Sequence, residues 1–440
     1  MKKKLLLIQP TPYDNNHNPI KRNKLYFVGL ALPLLAALTP PDWDVEIIME
    51  TIEDIPFDTD AELIGISSMG HGVLRTLDLA REFKKRGKTV ILGGYMVSLM
   101  PEEAKKHCDA VVIGDAEGVW TNLIKDYTEG NLKTFYKYEL TSLEGLPLPR
   151  YDLIVKKNIG DFLPVQAGRG CPHTCSFCSV FCLYRGKYLR RNITEVIRDI
   201  QQIRSLGFKK FLLLDDNIAS DKKYLLELLR EIKKMKMQWF SQCSLNVAKD
   251  DRLLTALAES GCLALSFGLE SITQESLNQL NKKWCHTSEY PDLIQKIRQA
   301  GIEVSTEMVV GTDADTQESI INTGHFIEQN KIVVPRFYIL TPIPGTDLFH
   351  QMDKEGRICN RDIYSYNGTE AVHIPAKISP QELTDAYWSL YKKVFSLKSI
   401  IKRTLLNKNI LKKPLHHLFY FLVNLKYRQD IKNGIPPNII

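Results

Sequence analysis

Short apolar runs alternate with longer amphipathic stretches along most of the 440 residues. Residues 4–9, 45–50, 63–67, 89–92 and 110–113 are compact runs rich in Ile, Leu and Val, as in strands buried on both faces. Between them, residues 25–38, 73–86, 101–107 and 117–127 repeat apolar positions three and four apart, the period of a helix packed on one side. This alternation predicts a parallel, doubly wound sheet over residues 1–130, with ligands at the carboxyl ends of its strands. Residues 131–160 read as a linker, and Leu146-Pro-Leu-Pro-Arg150 favours extended backbone there.

A second alternation starts at residue 161. Its strands are 162–167, 210–214, 238–243, 263–267, 303–310 and 336–340. Helical stretches at 193–205, 222–234, 251–259, 290–300 and 317–329 fill the gaps. Six such units predict a partial TIM-like (β/α)6 barrel over 161–346, its chemistry at the strand carboxyl ends. Residues 347–440 remain as a helical, basic extension. The fold class expected is therefore α/β: an N-terminal Rossmann-like domain, a central partial barrel and a helical C-terminal extension.

Composition sharpens this picture in two places. The 44% hydrophobic and 25% charged content is that of a globular protein with ample core. Nine cysteines and a start, MKKKLLLIQP, whose apolar run is too short for an export signal, point to a reducing, cytoplasmic setting. The net charge of +7 sits in the tail: residues 392–432 hold eleven lysines and arginines against the single acid Asp430, leaving −3 elsewhere. The basicity belongs to the tail alone, so it says nothing general about nucleic acid, and no nucleic-acid partner is expected. Residues 397–425 mix these cations with apolar side chains ending in Leu418-Phe-Tyr-Phe-Leu-Val423, so the tail either lies on an anionic membrane face or caps the barrel.

The densest chemistry is Cys171-Pro-His-Thr-Cys175-Ser-Phe-Cys178, set just after a strand and a Gly168-Arg169-Gly170 hinge. Three thiolates on one loop can converge on a soft metal centre and leave a coordination position open. A structural zinc completed by His173 or Cys182, or a disulfide with a spare thiol, stays open on the residues alone. Polar clusters follow the other barrel strands: Asp215-Asp216-Asn217, Gly268-Leu-Glu270-Ser271, the Gly311-Thr-Asp313-Ala-Asp315-Thr316 run and Thr341-Pro-Ile-Pro-Gly345-Thr346. Each contains good helix caps, yet together they suit an ammonium group and hydroxyls.

The Cys-x3-Cys-x2-Cys spacing after Gly-Arg-Gly resembles the radical S-adenosylmethionine (SAM) superfamily. The stretches FLLLDDN, ALSFGLES, VVGTDADT and LTPIPGT look like its subgroup with an N-terminal cobalamin-binding domain. The resemblance implies a [4Fe–4S] cluster on Cys171, Cys175 and Cys178, whose fourth iron chelates SAM. Reductive cleavage would yield a 5′-deoxyadenosyl radical. By the same resemblance Asp216 and Asn217 lie beside the SAM methionyl group, Glu270 near its amine or ribose, and Gly311 near the adenine.

In the first domain, Ser67-Ser-Met69 and Gly93-Gly94 match two of three cobalamin signatures. The third, Asp-x-His-x-x-Gly, is absent; Tyr13-Asp14-Asn-Asn-His17 has the wrong spacing. His71 is an unassigned neighbour of this edge, and Arg169 could tune a cluster by its charge. Cys182, Cys243, Cys262, Cys285 and Cys359 carry no motif and read as buried packing, with Cys243 a candidate hydrogen donor.

The resulting expectation is a cobalamin-dependent C-methyltransferase acting on a lipid or natural-product intermediate, with an electron donor such as flavodoxin or ferredoxin. A cobalamin-independent coupling or cyclisation catalyst and a membrane-docked, non-catalytic metal scaffold are the rival expectations. A methylthiotransferase on RNA would need further cluster cysteines and an RNA-binding module.

Overall fold

The computed structural model describes residues 2–67, 70–406 and 414–437. Met69, named above for cobalamin, and the tail residues 407–413 lie outside the described residues. By contacts the chain divides into two compact units, Met1–Ala167 with Leu189–Leu212, and Gly168–Tyr188 with Leu213–Ile440.

The first unit is built on a six-stranded sheet: β1 (Lys3–Gln9), β2 (Trp43–Met49), β3 (Leu63–Ser67), β4 (Thr89–Gly93), β5 (Ala110–Gly114) and β6 (Phe135–Tyr138). All neighbours are parallel, in the order β2-β1-β3-β4-β5-β6. The order reverses between β1 and β3, so a crevice for ligands opens beside the ends of these two strands. Helix Val73–Lys85 buries Leu77, Ala80 and Phe83 against Ile64, Ile66 and Val90 of the sheet. The expected strands are all present. β6 was not foreseen: FYKY is a short edge strand with one buried residue, too brief to show a period. The helix expected over 25–38 begins only at Ala31. Leu25 instead spends its backbone on a bridge to Ile159, and Pro33 stays in the helix's first turn, where it costs no hydrogen bond.

The second sheet has the order β14-β13-β12-β11-β10-β7. Its strands are β7 (Phe162–Gln166), β10 (Lys210–Leu214), β11 (Gln238–Cys243), β12 (Cys262–Glu270), β13 (Glu303–Val310) and β14 (Val334–Ile339). A small ribbon, β8 (Gly168–Gly170) and β9 (Tyr188–Arg190), brackets the cysteine loop. Five helices stand where the amphipathic stretches predict them, among them Ile193–Ser205, Asp251–Glu259 and Gln317–Gln329.

The tail covers the free edge of β14, whose unpaired N–H and C=O groups would otherwise template aggregation. The Tyr391 hydroxyl accepts from Phe337 N–H at 2.8 Å and donates to Phe337 C=O at 3.0 Å. Arg403, fully buried, donates to the carbonyls of Ile332, Val333 and Val394 and to Asn424 Oδ1. Asn424 Nδ2 in turn donates to Val333 C=O at 2.9 Å. The barrel-capping role considered for the tail is thus realised by its helices Pro380–Val394, Leu397–Thr404 and Pro414–Lys432. Among the described residues, no helix is long and apolar enough to cross a membrane.

Candidate functional site

Gly170 shapes the entry to the cysteine loop. Its φ is +86°, and a Cβ there would fall 2.2 Å from Lys187 O, so only glycine fits. Its N–H donates to Asp216 Oδ2 at 2.6 Å. Cys178 N–H bonds back to Cys175 C=O at 3.2 Å, closing a tight turn at the end of the short arc of chain from Cys171 to Cys178.

Side chains from three directions hold that arc. From the end of β10, Asn217 Nδ2 points at Cys171 Sγ, 4.0 Å away, while Asn217 Oδ1 accepts from Ser244 N–H at 3.0 Å. From the segment after β12, Leu280 C=O accepts from Ser176 N–H, and Asn281 Nδ2 donates to Thr174 C=O at 2.7 Å and to its Oγ1 at 2.9 Å. After β14, Leu348 N–H donates to Ser176 C=O and Gly345 C=O accepts from Cys182 Sγ at 2.9 Å. Phe177 adds an apolar anchor on Leu280, Val309, Leu340 and Leu348.

Both ligands that a zinc site would recruit are otherwise engaged. His173 stacks on Trp284 with ring centroids 3.7 Å apart and 10° between planes, and burial lowers its pKa. Cys182 is half-buried and bonded to Gly345. Among the described residues, no three His, Cys, Asp or Glu side chains, the three loop cysteines included, stand close enough to hold one metal ion, and all nine cysteines are unbridged.

A buried ion pair completes the site. Lys282 Nζ donates to Glu270 Oε1 and to Gly268 C=O, each at 2.7 Å. The two side chains are 8% and 10% exposed, so neither charge can be left alone. Burial opposes the ammonium, yet the Glu270 carboxylate and the Cys175 thiol raise its pKa overall. Lys282 also lies 5.2 Å over the Trp284 ring. Glu270 holds φ +61°, a left-handed conformation rare outside glycine, at an irregularity in the β12–β13 register. Such strain persists only where the surroundings impose it. Burial pushes the Cys175 thiol up to about 12 and the Cys178 thiol up to about 11, and raises Cys171. These thiols stay protonated at neutral pH unless positive charge replaces the protons, which fits a cationic metal cluster and the nearby ammonium.

Several other expected residues have internal duties. Asp215, buried, accepts from the Tyr188 hydroxyl at 2.8 Å and from Asn217 N–H at 2.8 Å, and burial lifts its pKa to about 7. Gly311 is buried with φ +102°; a Cβ would meet Leu383 at 2.5 Å, and its N–H donates to Asp315 Oδ2 at 2.9 Å. Asp313 pairs with Arg357. The Gly311 run is therefore a self-satisfied turn whose glycine has a packing reason of its own. Cys243 is buried at the end of β11, and burial raises its thiol. Buried packing holds for Cys262 and Cys285 but not for Cys359, which is exposed in an irregular segment. Lys282 and Trp284 escaped the sequence analysis because they stand outside every motif. The signal available was slight: a single Lys-Lys-Trp in a polar stretch without acids from residue 276 to 288.

The first sheet offers a different edge. Ser67 and Gly93 are register partners across β3 and β4. Gly94 has φ +105° and lends its C=O to Ser98 Oγ, which accepts from Gly114 N–H; both distances are 2.9 Å. The edge is made of backbone and small neutral side chains, which suits a large ligand passing close to the chain. His71 lies in a short 3-10 turn after β3, and His17 is exposed on the turn that Asp14 closes by accepting from the N–H groups of Asn16 and Asn18. A surface cleft of about 480 Å³ along helices Lys222–Met235 and Asp251–Glu259 carries none of this chemistry.

Comparison with known proteins agrees with these two edges. Residues 165–327 match the family model of the radical SAM superfamily, and residues 35–124 that of the B12 binding domain. The chain is 32% identical to bacteriochlorophyllide d C-8(2)-methyltransferase of Chlorobaculum tepidum over 412 residues, covering 90% of each protein. It is 26% identical to hopanoid C-2 methylase of Rhodopseudomonas palustris, over 75% of this chain and 65% of that one. The fold is shared with the cobalamin- and [4Fe–4S]-bound methyltransferase TsrM of Kitasatospora setae (TM-score 0.62, 17% identity, 81% of this chain and 78% of that one). It is shared also with the radical enzyme OxsB bearing cobalamin and SAM (TM-score 0.67, 13% identity, 97% and 72%). The chain belongs to the cobalamin-dependent radical SAM methyltransferase family, and its cofactors are a [4Fe–4S] cluster, SAM and cobalamin.

Proposed function

We propose that this member of the family methylates an unactivated carbon of a lipid or natural-product intermediate. The observation that carries the reading is the cysteine arc clamped beside a buried Lys282–Glu270 pair at the strand ends. Relatives named for methylating bacteriochlorophyllide d and hopanoids suggest a large, mostly apolar skeleton.

In this reading Cys171, Cys175 and Cys178 hold the cluster, and Asp216 and Asn217 hold the arc that carries them. Glu270 and Lys282 present opposite charges to the amino and carboxylate groups of SAM, since a ligand with both charges can exchange partners with a buried pair. Ser67, Gly93 and Gly94 line the cobalamin edge, and Gly311 supports the turn nearest the adenine. When bound, the cluster with SAM supplies a hydrogen-abstracting radical and cobalamin a transferable methyl group. The chain's own work is to hold three thiolates, balance their charge and keep water from the radical. A cytoplasmic reductant such as flavodoxin or ferredoxin supplies the electron.

Reconstituted protein reduced with dithionite is expected to release 5′-deoxyadenosine and, given SAM labelled in its methyl group, to label an apolar substrate fraction. Deoxyadenosine without label transfer would overturn methylation in favour of ring closure or coupling. No deoxyadenosine at all would overturn the enzyme assignment of the cysteines.

A further inference from the structure

Helix Pro414–Lys432 is built inside out. Its buried positions are His417, Asn424, Asp430 and Ile431, three of them polar. Its outward positions include Leu415, Leu418, Phe419 and Leu422, exposed by 78%, 48%, 54% and 55%. These four recur at i, i+3, i+4 and i+7, which puts them in one stripe. The fold accounts for the inner face: His417 meets Glu303 at 3.4 Å, and Asn424 serves Val333 and Arg403. Nothing among the described residues accounts for the outer one, since a cap needs no exposed leucines.

We propose that this stripe docks the protein on an anionic membrane surface. Charge decides the occupant. Of the eleven cations in residues 392–432, Arg403 is internal, Lys402 is paired with Glu328 at 3.3 Å, and the one acid, Asp430, is already paired with Lys426 at 3.2 Å, which leaves the balance strongly positive. Lys426, Arg428 and Lys432 follow the stripe on the same helix. A second copy would bring the same cationic patch against itself, because a two-fold interface pairs like with like. Four side chains over two turns also fall far short of the about 800 Å² per partner of a stable protein interface. A bilayer surface accepts a narrow apolar stripe with a cationic rim, through shallow burial plus attraction to anionic headgroups.

The surface is an anchor and not a substrate gate. The helix meets β13 at its first residue, Glu303, whereas the Lys282–Glu270 pair stands at the last residue of the adjacent β12. A strand of eight residues spans on the order of 25 Å. Docking and chemistry therefore occupy opposite ends of the same sheet.

The test is co-sedimentation of the full-length, cluster-loaded protein with vesicles of phosphatidylcholine alone or with a third phosphatidylglycerol. Binding only to the anionic vesicles, falling as salt rises, is expected. The L418E/F419E variant should lower partitioning by at least about tenfold, because four apolar contacts lose half their number and gain repelled charge. Replacing Arg428 and Lys432 with Gln should weaken it about fivefold per cation. Unchanged melting temperature and deoxyadenosine release in both variants would show that the fold survives. Equal vesicle binding by L418E/F419E, or none by the native chain, would overturn the proposal. So would a dimer seen by light scattering that the same variant dissociates, since the stripe's occupant would then be a second copy.

Discussion

The two sheets finish their strands in opposite materials. The first ends in Ser67, Gly93, Gly94 and Gly114, small neutral residues linked through Ser98 and the backbone. The second ends in Asp215, Asp216, Asn217 and Glu270, with a buried lysine and a cysteine arc among them. An edge of backbone selects a large ligand by letting it approach closely. An edge of buried charge grips a small ionic ligand, and its strength lies in how completely each charge is matched before the ligand arrives. One chain thus uses shape at one edge and electrostatics at the other.

That contrast can be broken one edge at a time. Cys175→Ala should have the largest effect: iron content falls below stoichiometry and deoxyadenosine formation disappears, while corrinoid still co-purifies. Retained SAM cleavage would remove Cys175 from the cluster. Gly94→Val forces a β-branched residue toward φ +105°, at a cost of about 1–3 kcal/mol. It should strip corrinoid during gel filtration and leave iron and SAM cleavage intact, so loss of both would mean that the edges are not independent.

Lys282→Met probes the electrostatic edge without touching a thiol. It strands Glu270 as a buried, unpaired charge, which destabilises a fold by about 3–5 kcal/mol. The Glu270→Gln/Lys282→Met double variant should recover most of the melting temperature but not cluster retention. Recovery of both would reduce the pair to a packing device. The smallest effect concerns Asp215. Its folded pKa, near 7, lies above its unfolded value, so the folded state keeps a proton that the unfolded state sheds. Stability from this group is complete below about pH 4 and is lost as pH rises through about 7. Melting curves of Asp215→Asn should lack that decline; an identical pH profile would show that Asp215 titrates normally.

Periodicity made most strands legible, because a buried parallel strand leaves an unbroken apolar run and little else does. The cysteine spacing stood out for a similar reason: its three residues lie within eight positions of one loop, so the motif is written in near neighbours along the chain. Lys282 was invisible on both counts. It lies twelve residues beyond Glu270, after a helix, and only the fold of that segment returns it to Gly268 and Glu270. The Gly311 run shows the reverse error risk: a segment that reads as ligand-binding is also a turn closed on Asp315 and packed under Leu383.

The sequence by itself determined most of the stretches that become strands and the spacing of the three loop cysteines, since each is written in neighbours along the chain. Tertiary structure alone decided which charges neutralise one another and which face of the last helix is left bare. Those outcomes depend on side chains brought together from distant positions, and in a medium that does not screen them a single ångström or a single partner sets the balance.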